Sequence, residues 1–241
     1  MGEWLAHLQL LQKGGFARVN YNFRFNALLP YTGEILRGVV LTLQLTLLTM
    51  AIGLAIGLFV ALASRSERTA LRVPARIYVE AIRNTPLLVQ LFLVFFGLPS
   101  LGIRLDANVA ALVGLSINVG AYASEILRAG FDSVRVSQIE AGRSLGLTAG
   151  QTFRHVVLLP AIKAVYPALA SQFVLLLLAT SVVSSIGAVD LFNQAAFIDS
   201  RTYRSFEAYT LITLAYLVLT LAFRGLFSAV YWAVFVRRGR L

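Results

Sequence analysis

Polar and charged residues interrupt this chain only at intervals, and the apolar runs between them are too long for strands and too evenly apolar for water-facing helices. The first run covers about Ile35 to Ala63, the third about Ala107 to Gly130, the fourth about Ala164 to Leu191 and the fifth about Glu207 to Val236. The second, about Ile77 to Leu98, is interrupted by Arg83-Asn84-Thr85-Pro86. Each is near the roughly 20 residues that a helix needs to cross a hydrocarbon core of about 30 Å. The pattern predicts an all-α integral membrane protein with about five transmembrane helices. Residues 1–34 mix Trp4, Phe16, Tyr21, Phe23 and Phe25 with Lys13, Arg18 and Arg24, which suits an interfacial segment lying on the membrane. Residues 35–241 are then the transmembrane domain, and the stretch 131–163 within it is too polar to cross.

Composition agrees: 58% of the 241 residues are hydrophobic and 13% charged, against roughly a quarter charged in a soluble domain. The net charge of +10 comes from basic residues scattered between apolar runs, with no continuous stripe interleaved with aromatics, so nucleic acid is not the expected partner. Their placement reads as topology. Arg65, Arg68, Arg72, Arg76 and Arg83 lie between the first two spans, Arg128, Arg135, Arg143, Arg154 and Lys163 between the third and fourth, and Arg237, Arg238 and Arg240 in the tail. The opposite face keeps Lys13, Arg18, Arg24, Arg37, Arg104, Arg201 and Arg204, and Arg224 falls within a span. This predicts an N-out, C-in chain with the 131–163 loop in the cytoplasm. The absence of Cys excludes disulfides and thiolate sites, and His7 and His155 are too few for a His-rich metal site. The Met-Gly-Glu-Trp start has no basic n-region, so the first span is expected to be its own uncleaved insertion signal.

The polar loop is dense in helix punctuation. Ser137-Gln138-Ile139-Glu140 has the capping-box pattern, Gly146 is placed to end the helix that follows, and Thr148-Ala149-Gly150-Gln151 repeats the box. Two short helices joined by a tight turn are expected, the second running toward Pro160. A well-capped surface loop would satisfy the same pattern.

Glu140-Ala141-Gly142, Gly146 and the Val-Leu-Leu-Pro ending at Pro160 resemble the EAA loop of permease subunits in bacterial ATP-binding-cassette importers. The segment from Glu80 through Arg83-Asn84-Thr85-Pro86 to Gln90-Leu91 resembles the signature of the polar amino-acid (histidine and glutamine type) permease family. Ala121-Tyr122-Ala123-Ser124-Glu125 through Gly130, and Thr180 through Ser184 to Gly187, resemble two further blocks. One departure is Leu177-Leu178-Ala179, where the family commonly has Leu-Lys-Asp. The resemblance implies a type I permease in the bacterial cytoplasmic (inner) membrane, paired with a second permease subunit as a homo- or heterodimer. It further implies two ATPase subunits and an external amino-acid-binding protein. Ser137, Glu140, Ala141, Gly142 and Gly146 would then form the coupling helix that docks on an ATPase. Lys13 and Lys163 lie in no G-x-x-x-x-G-K-[ST] loop, so this chain is expected to hold no cofactor and catalyse nothing, with ATP and Mg²⁺ bound by the partner.

Three polar faces on different spans are candidates for a substrate path. Thr42 and Thr46 continue through Thr49 to the Gly53-x-x-x-Gly57 pair along one helical face, for which close helix packing is the first reading and substrate contact the second. Asn118 and Tyr122 share a face of the third span with Glu125; the first two suit cavity lining, and Glu125 an ion pair with Arg128. Thr180 and Ser184 lie one turn apart in the fourth span. A stand-alone secondary transporter would want free intramembrane acids and usually an inverted repeat, and a membrane anchor would not need polar faces on several spans.

Overall fold

The computed structural model describes residues 21–236, and the tail arginines and the first part of the interfacial segment lie outside them. Every regular element among the described residues is helical. Helix α1 (Thr32–Ser64) follows a 3-10 turn (Phe25–Tyr31), α2 spans Thr69–Arg83, and α3 (Leu87–Phe92) continues through a π turn and a 3-10 turn to Leu101. Helix α4 is Ala107–Asp132, α5 is Val136–Ser144 and α6 is Ala149–Thr152. Helix α7 (Leu158–Ala179) runs into a 3-10 turn (Thr180–Ile186), and α8 (Leu191–Thr202) and α9 (Ser205–Tyr231) complete the order. Among the described residues four continuous helices are long and apolar enough to span a membrane, or five where the bent pair α2–α3 counts as one span.

The interrupted second span is a corner of 110°. Pro86 has no N–H and disfavours helix at Thr85, so α2 stops at Arg83. Side chains bond the last carbonyls of α2: Asn84 Nδ2 donates to that of Glu80 at 2.8 Å, beside Asn84 N, and Thr85 Oγ1 to that of Ala81 at 2.9 Å.

Helices α1 and α4 pack as the small-residue face predicts. A Cβ on Gly53 would lie 2.6 Å from Val119 Cγ1, and one on Gly57 would lie 2.7 Å from Ala123 Cβ. Leu91, Leu115, Val119, Phe173, Leu176 and Val183 form the main core where α3, α4 and α7 meet. With water excluded by lipid, such contact comes from backbone approach and dispersion rather than from burial.

The fourth span differs from its expected limits at both ends. It ends at Ile186, because Gly187 turns left-handed (φ +78°) and the chain re-enters as α8, capped by Asp190 Oδ1, which accepts from Asn193 N at 2.8 Å. The expected span reaches Leu191, so neither the break at Gly187 nor the helix after it is foreseen. At the other end the helix begins at Ala149, so Ala149–Ile186 is one unit of 38 residues. At about 1.5 Å per residue that is roughly 57 Å, well beyond the hydrocarbon core. The second short helix of the loop is thus the projecting start of this span. Pro160 does not end it, because it is the third residue of α7, where a π turn (Phe153–Val157) precedes and absorbs the missing N–H.

Candidate functional site

The projecting loop is built from one short helix against that stalk. Helix α5 starts one residue before Ser137 with Arg135 as N-cap, and no side chain caps it. The Ser137–Glu140 capping box therefore does not form: Val134, buried against Val157 and Ala161, sets the chain's entry and draws Ser137 inside the first turn. The Thr148 box does form, with Gln151 N donating to Thr148 Oγ1 and Thr148 N to Gln151 Oε1. Gly146 has φ +80°, and Leu147 N donates to the Gly142 carbonyl at 3.2 Å, closing α5. Gly142 is buried on the stalk, where a Cβ would lie 3.3 Å from Val156 Cγ2 and 3.4 Å from Thr152 Cγ2. Ser137, Glu140, Ala141 and Gly146 are exposed on the outside of the same helix and turn, beside Leu145, which is 82% exposed. The exposed residues and the stalk contact therefore fall on opposite sides of this helix and its turn.

The second site lies at the corner between α2 and α3. Arg76, Glu80, Arg83 and Asn84 from α2, with Tyr122 and Glu125 from α4, line a polar cavity of about 390 Å³. The Glu125 carboxylate accepts from Arg128 Nε at 3.0 Å and Nη2 at 2.9 Å, and lies 3.5 Å from Arg83 Nη1. Arg83 lies over the Tyr122 ring, 5.4 Å from its centroid. The cavity thus holds both signs of charge and an aromatic wall within a mostly apolar protein. Its floor is the corner, where Gln90 Nε2 donates to the carbonyls of Ile82 (2.8 Å) and Thr85 (3.1 Å), and Gln90 Oε1 accepts from Asn118 Nδ2 at 2.9 Å.

Tyr122 therefore lines the cavity together with Glu125, whose pair with Arg128 is present, whereas Asn118 is not part of the lining and is instead bonded to Gln90. Thr42, Thr46 and Thr180 are placed differently, each with 0% of its surface exposed. Thr46 and Thr180 donate to carbonyls of their own helices at 2.7 Å, and Thr42 Oγ1 accepts from Leu191 N at 3.0 Å, so in this conformation they offer a ligand no surface. Ser184 is half-buried and donates to the Ser181 carbonyl. Gln90 and Arg83 complete the corner although sequence reasoning gave neither a role; their signal was the Pro86 break, which leaves carbonyls that some side chain must satisfy.

Residues 53–235 match the model of the family described as the binding-protein-dependent transport system inner membrane component. The chain is 36% identical over 203 residues to a probable amino-acid ABC transporter permease protein of Bacillus subtilis (strain 168), covering 82% of this chain and 88% of the relative. It is 39% identical over 180 residues to a probable glutamine ABC transporter permease protein of the same organism, covering 75% and 83%. A crystal structure of an amino acid ABC transporter with histidines superposes with a TM-score of 0.84 at 41% identity, over 89% of this chain and 100% of that one. The chain therefore belongs to the family of binding-protein-dependent transport system inner membrane components.

Proposed function

We propose that this chain is the transmembrane permease subunit of an ATP-binding-cassette importer that carries a polar amino acid across the bacterial cytoplasmic membrane. It pairs with a second permease subunit, docks two ATPase subunits through α5, and receives substrate from an external binding protein; ATP and Mg²⁺ belong to the ATPases. The N-terminus faces out and the loop with α5 faces in.

The cavity at the corner carries this reading. A zwitterion needs an anion and a cation a few ångströms apart, and the Glu125 carboxylate and the Arg83 guanidinium, 3.5 Å apart here, meet its two ends when they exchange each other for it, beside Asn84 and Tyr122. A span broken at this depth leaves backbone groups free to exchange partners with a passing ligand. Asn118 supports the path from behind through Gln90, Ser184 is the remaining half-buried hydroxyl assigned to the path, and Thr42, Thr46 and Thr180 hold helices together. Displacement of an ATPase surface reaches the spans through the stalk from Ala149, against which Gly142 packs.

Proteoliposomes holding the chain with its ATPase, ATP inside and binding protein outside are expected to accumulate labelled amino acid, and to stop when the ATPase is omitted. Accumulation by the chain without ATPase, driven by a proton or sodium gradient, would instead make it a secondary transporter and overturn the proposal.

A further inference from the structure

Arg224 lies within α9, and among the described residues it has no ion-pair partner and donates no hydrogen bond. An ionised side chain inside a span needs an anion, a dipole or water. Arg224 borders a groove of about 580 Å³ between α7 and α9, whose walls include Tyr166, Ser171 and Val174 on one side and Ser228 and Tyr231 on the other. The groove is closed at one end by aromatic contacts: the Tyr166 hydroxyl donates to the Phe227 carbonyl at 3.0 Å, and its ring centroid is 5.7 Å from that of Tyr231. Trp232 follows, 56% exposed. Tyr and Trp at the end of a spanning helix mark the headgroup level. Ser228 lies four residues from Arg224 toward that level, a rise of about 6 Å. A group seated there has a hydroxyl beside it and a guanidinium within one side chain's reach.

A second copy of this chain could not readily neutralise Arg224. Of the acidic residues on its spanning helices, Glu34, Asp132 and Glu207 lie at helix ends and Glu80 at the α2 corner. Glu125 is deeper but already holds Arg128 and Arg83. The anion that the membrane itself supplies in quantity is the phosphodiester.

We infer that the α7–α9 groove is a phospholipid site, in which Arg224 pairs with the headgroup phosphate, the Ser171 and Ser228 hydroxyls donate to its oxygens, and the apolar wall at Val174 takes an acyl chain. Arginine suits this geometry because its fork donates two parallel N–H groups to a phosphate. Net-anionic headgroups are preferred, since no carboxylate in the groove repels them and no acid is present to hold a choline.

The test uses the transporter purified with its partner subunits in mild detergent and titrated with phosphatidylglycerol or phosphatidylcholine, read by native mass spectrometry. One phosphatidylglycerol is expected to stay bound per copy of this chain under activation that strips phosphatidylcholine. Arg224→Gln should lower its retention severalfold, and Arg224→Lys should restore part of it. Ser228→Leu, which fills the groove and keeps the charge, should lower it too. Retention equal to wild type in both Arg224→Gln and Ser228→Leu overturns the site. Separation of the permease pair by Arg224→Gln with phospholipid retention unchanged would make the groove a subunit contact and overturn it equally.

Discussion

The Gln90 carboxamide oxygen accepts the Asn118 side-chain N–H at 2.9 Å, tying the corner of the bent second span to the middle of the third. The same Gln90 amide nitrogen satisfies the Ile82 and Thr85 carbonyls that the Pro86 break leaves open. One side chain therefore sets both the corner's shape and its position against α4. Replacing either partner strands the other, at about 1–3 kcal/mol for an unsatisfied buried group. Gln90→Leu should lower uptake and melting temperature more than Asn118→Leu, because it also frees two carbonyls. The double variant should cost less than the sum of the singles, as a shared bond can be lost only once. Additive losses in thermal melts of the detergent-purified complex would show that the bond is not what couples the helices.

Gly146 ends α5 with φ +80°, and a Cβ there would meet nothing within 4 Å. Any effect of substitution is thus backbone strain and not a clash, about 1–2 kcal/mol for a residue with a β-carbon. Gly146→Val is expected to loosen the turn that presents Leu145, reducing ATPase association and binding-protein-stimulated ATP hydrolysis severalfold while membrane insertion is unchanged. Gly146→Asn, which tolerates the left-handed region better, should retain most of both. Full stimulation in Gly146→Val would rule out the loop as the coupling element.

Long elements with strong apolar contrast were legible in the sequence. The first, third and fifth spans, the break at Pro86, the left-handed Gly146 and the Thr148 cap each rest on a local physical rule that the rest of the protein does not override. The failures were tertiary. Val134 and Val157 bury against each other and move the start of α5 past its apparent cap at Ser137. Gly187 sits in an apolar run that reads as one span, so α8 was invisible without its cap at Asp190. Periodicity points to polar faces but cannot say what opposes a face. Asn118 meets Gln90 at the broken helix and Tyr122 meets Arg83, whereas Thr42 meets the backbone of Leu191 and closes.

The topology can be read chemically because the chain has no native Cys. Ser144, at the end of α5, and Ser200, in α8, are both exposed. In sealed, right-side-out vesicles, an impermeant maleimide should modify Ser200→Cys at once and Ser144→Cys only after the membrane is opened. Modification of both from one side would refute the five-span arrangement, and reversed reactivity would turn the chain over.

Asp190 stands between the fourth span and α8, fully buried, with Oδ1 capping α8 through Asn193 N and Oδ2 accepting from Tyr216 Oη at 3.0 Å. Burial pushes its carboxyl above the ordinary Asp value of 3.8, while the bonds from Asn193, Phe192 and Tyr216 pull the other way without offsetting it. A carboxyl whose pKa rises on folding favours the folded protein in its protonated form. That contribution is full below the unfolded value and is lost as pH climbs through the raised folded value. At neutral pH the burial of this group therefore carries a net cost. Asp190→Asn keeps Oδ1 for the cap, reverses the bond with Tyr216 so that Nδ2 donates to the hydroxyl, and removes the charge, so its melting temperature near neutral pH should equal or exceed wild type. Its stability should also be flatter with pH between the ordinary Asp value and neutrality. Asp190→Leu loses the cap, worth about 1 kcal/mol, and strands the Tyr216 hydroxyl at about 1–3 kcal/mol more. The leucine variant should melt well below both others at every pH, with α8 the first region to exchange its amide hydrogens. Thermal melts of the three proteins across that pH range decide the matter. If Asp190→Asn keeps the wild-type pH dependence, Asp190 is not the group whose titration limits stability, and its raised pKa has no bearing on the fold.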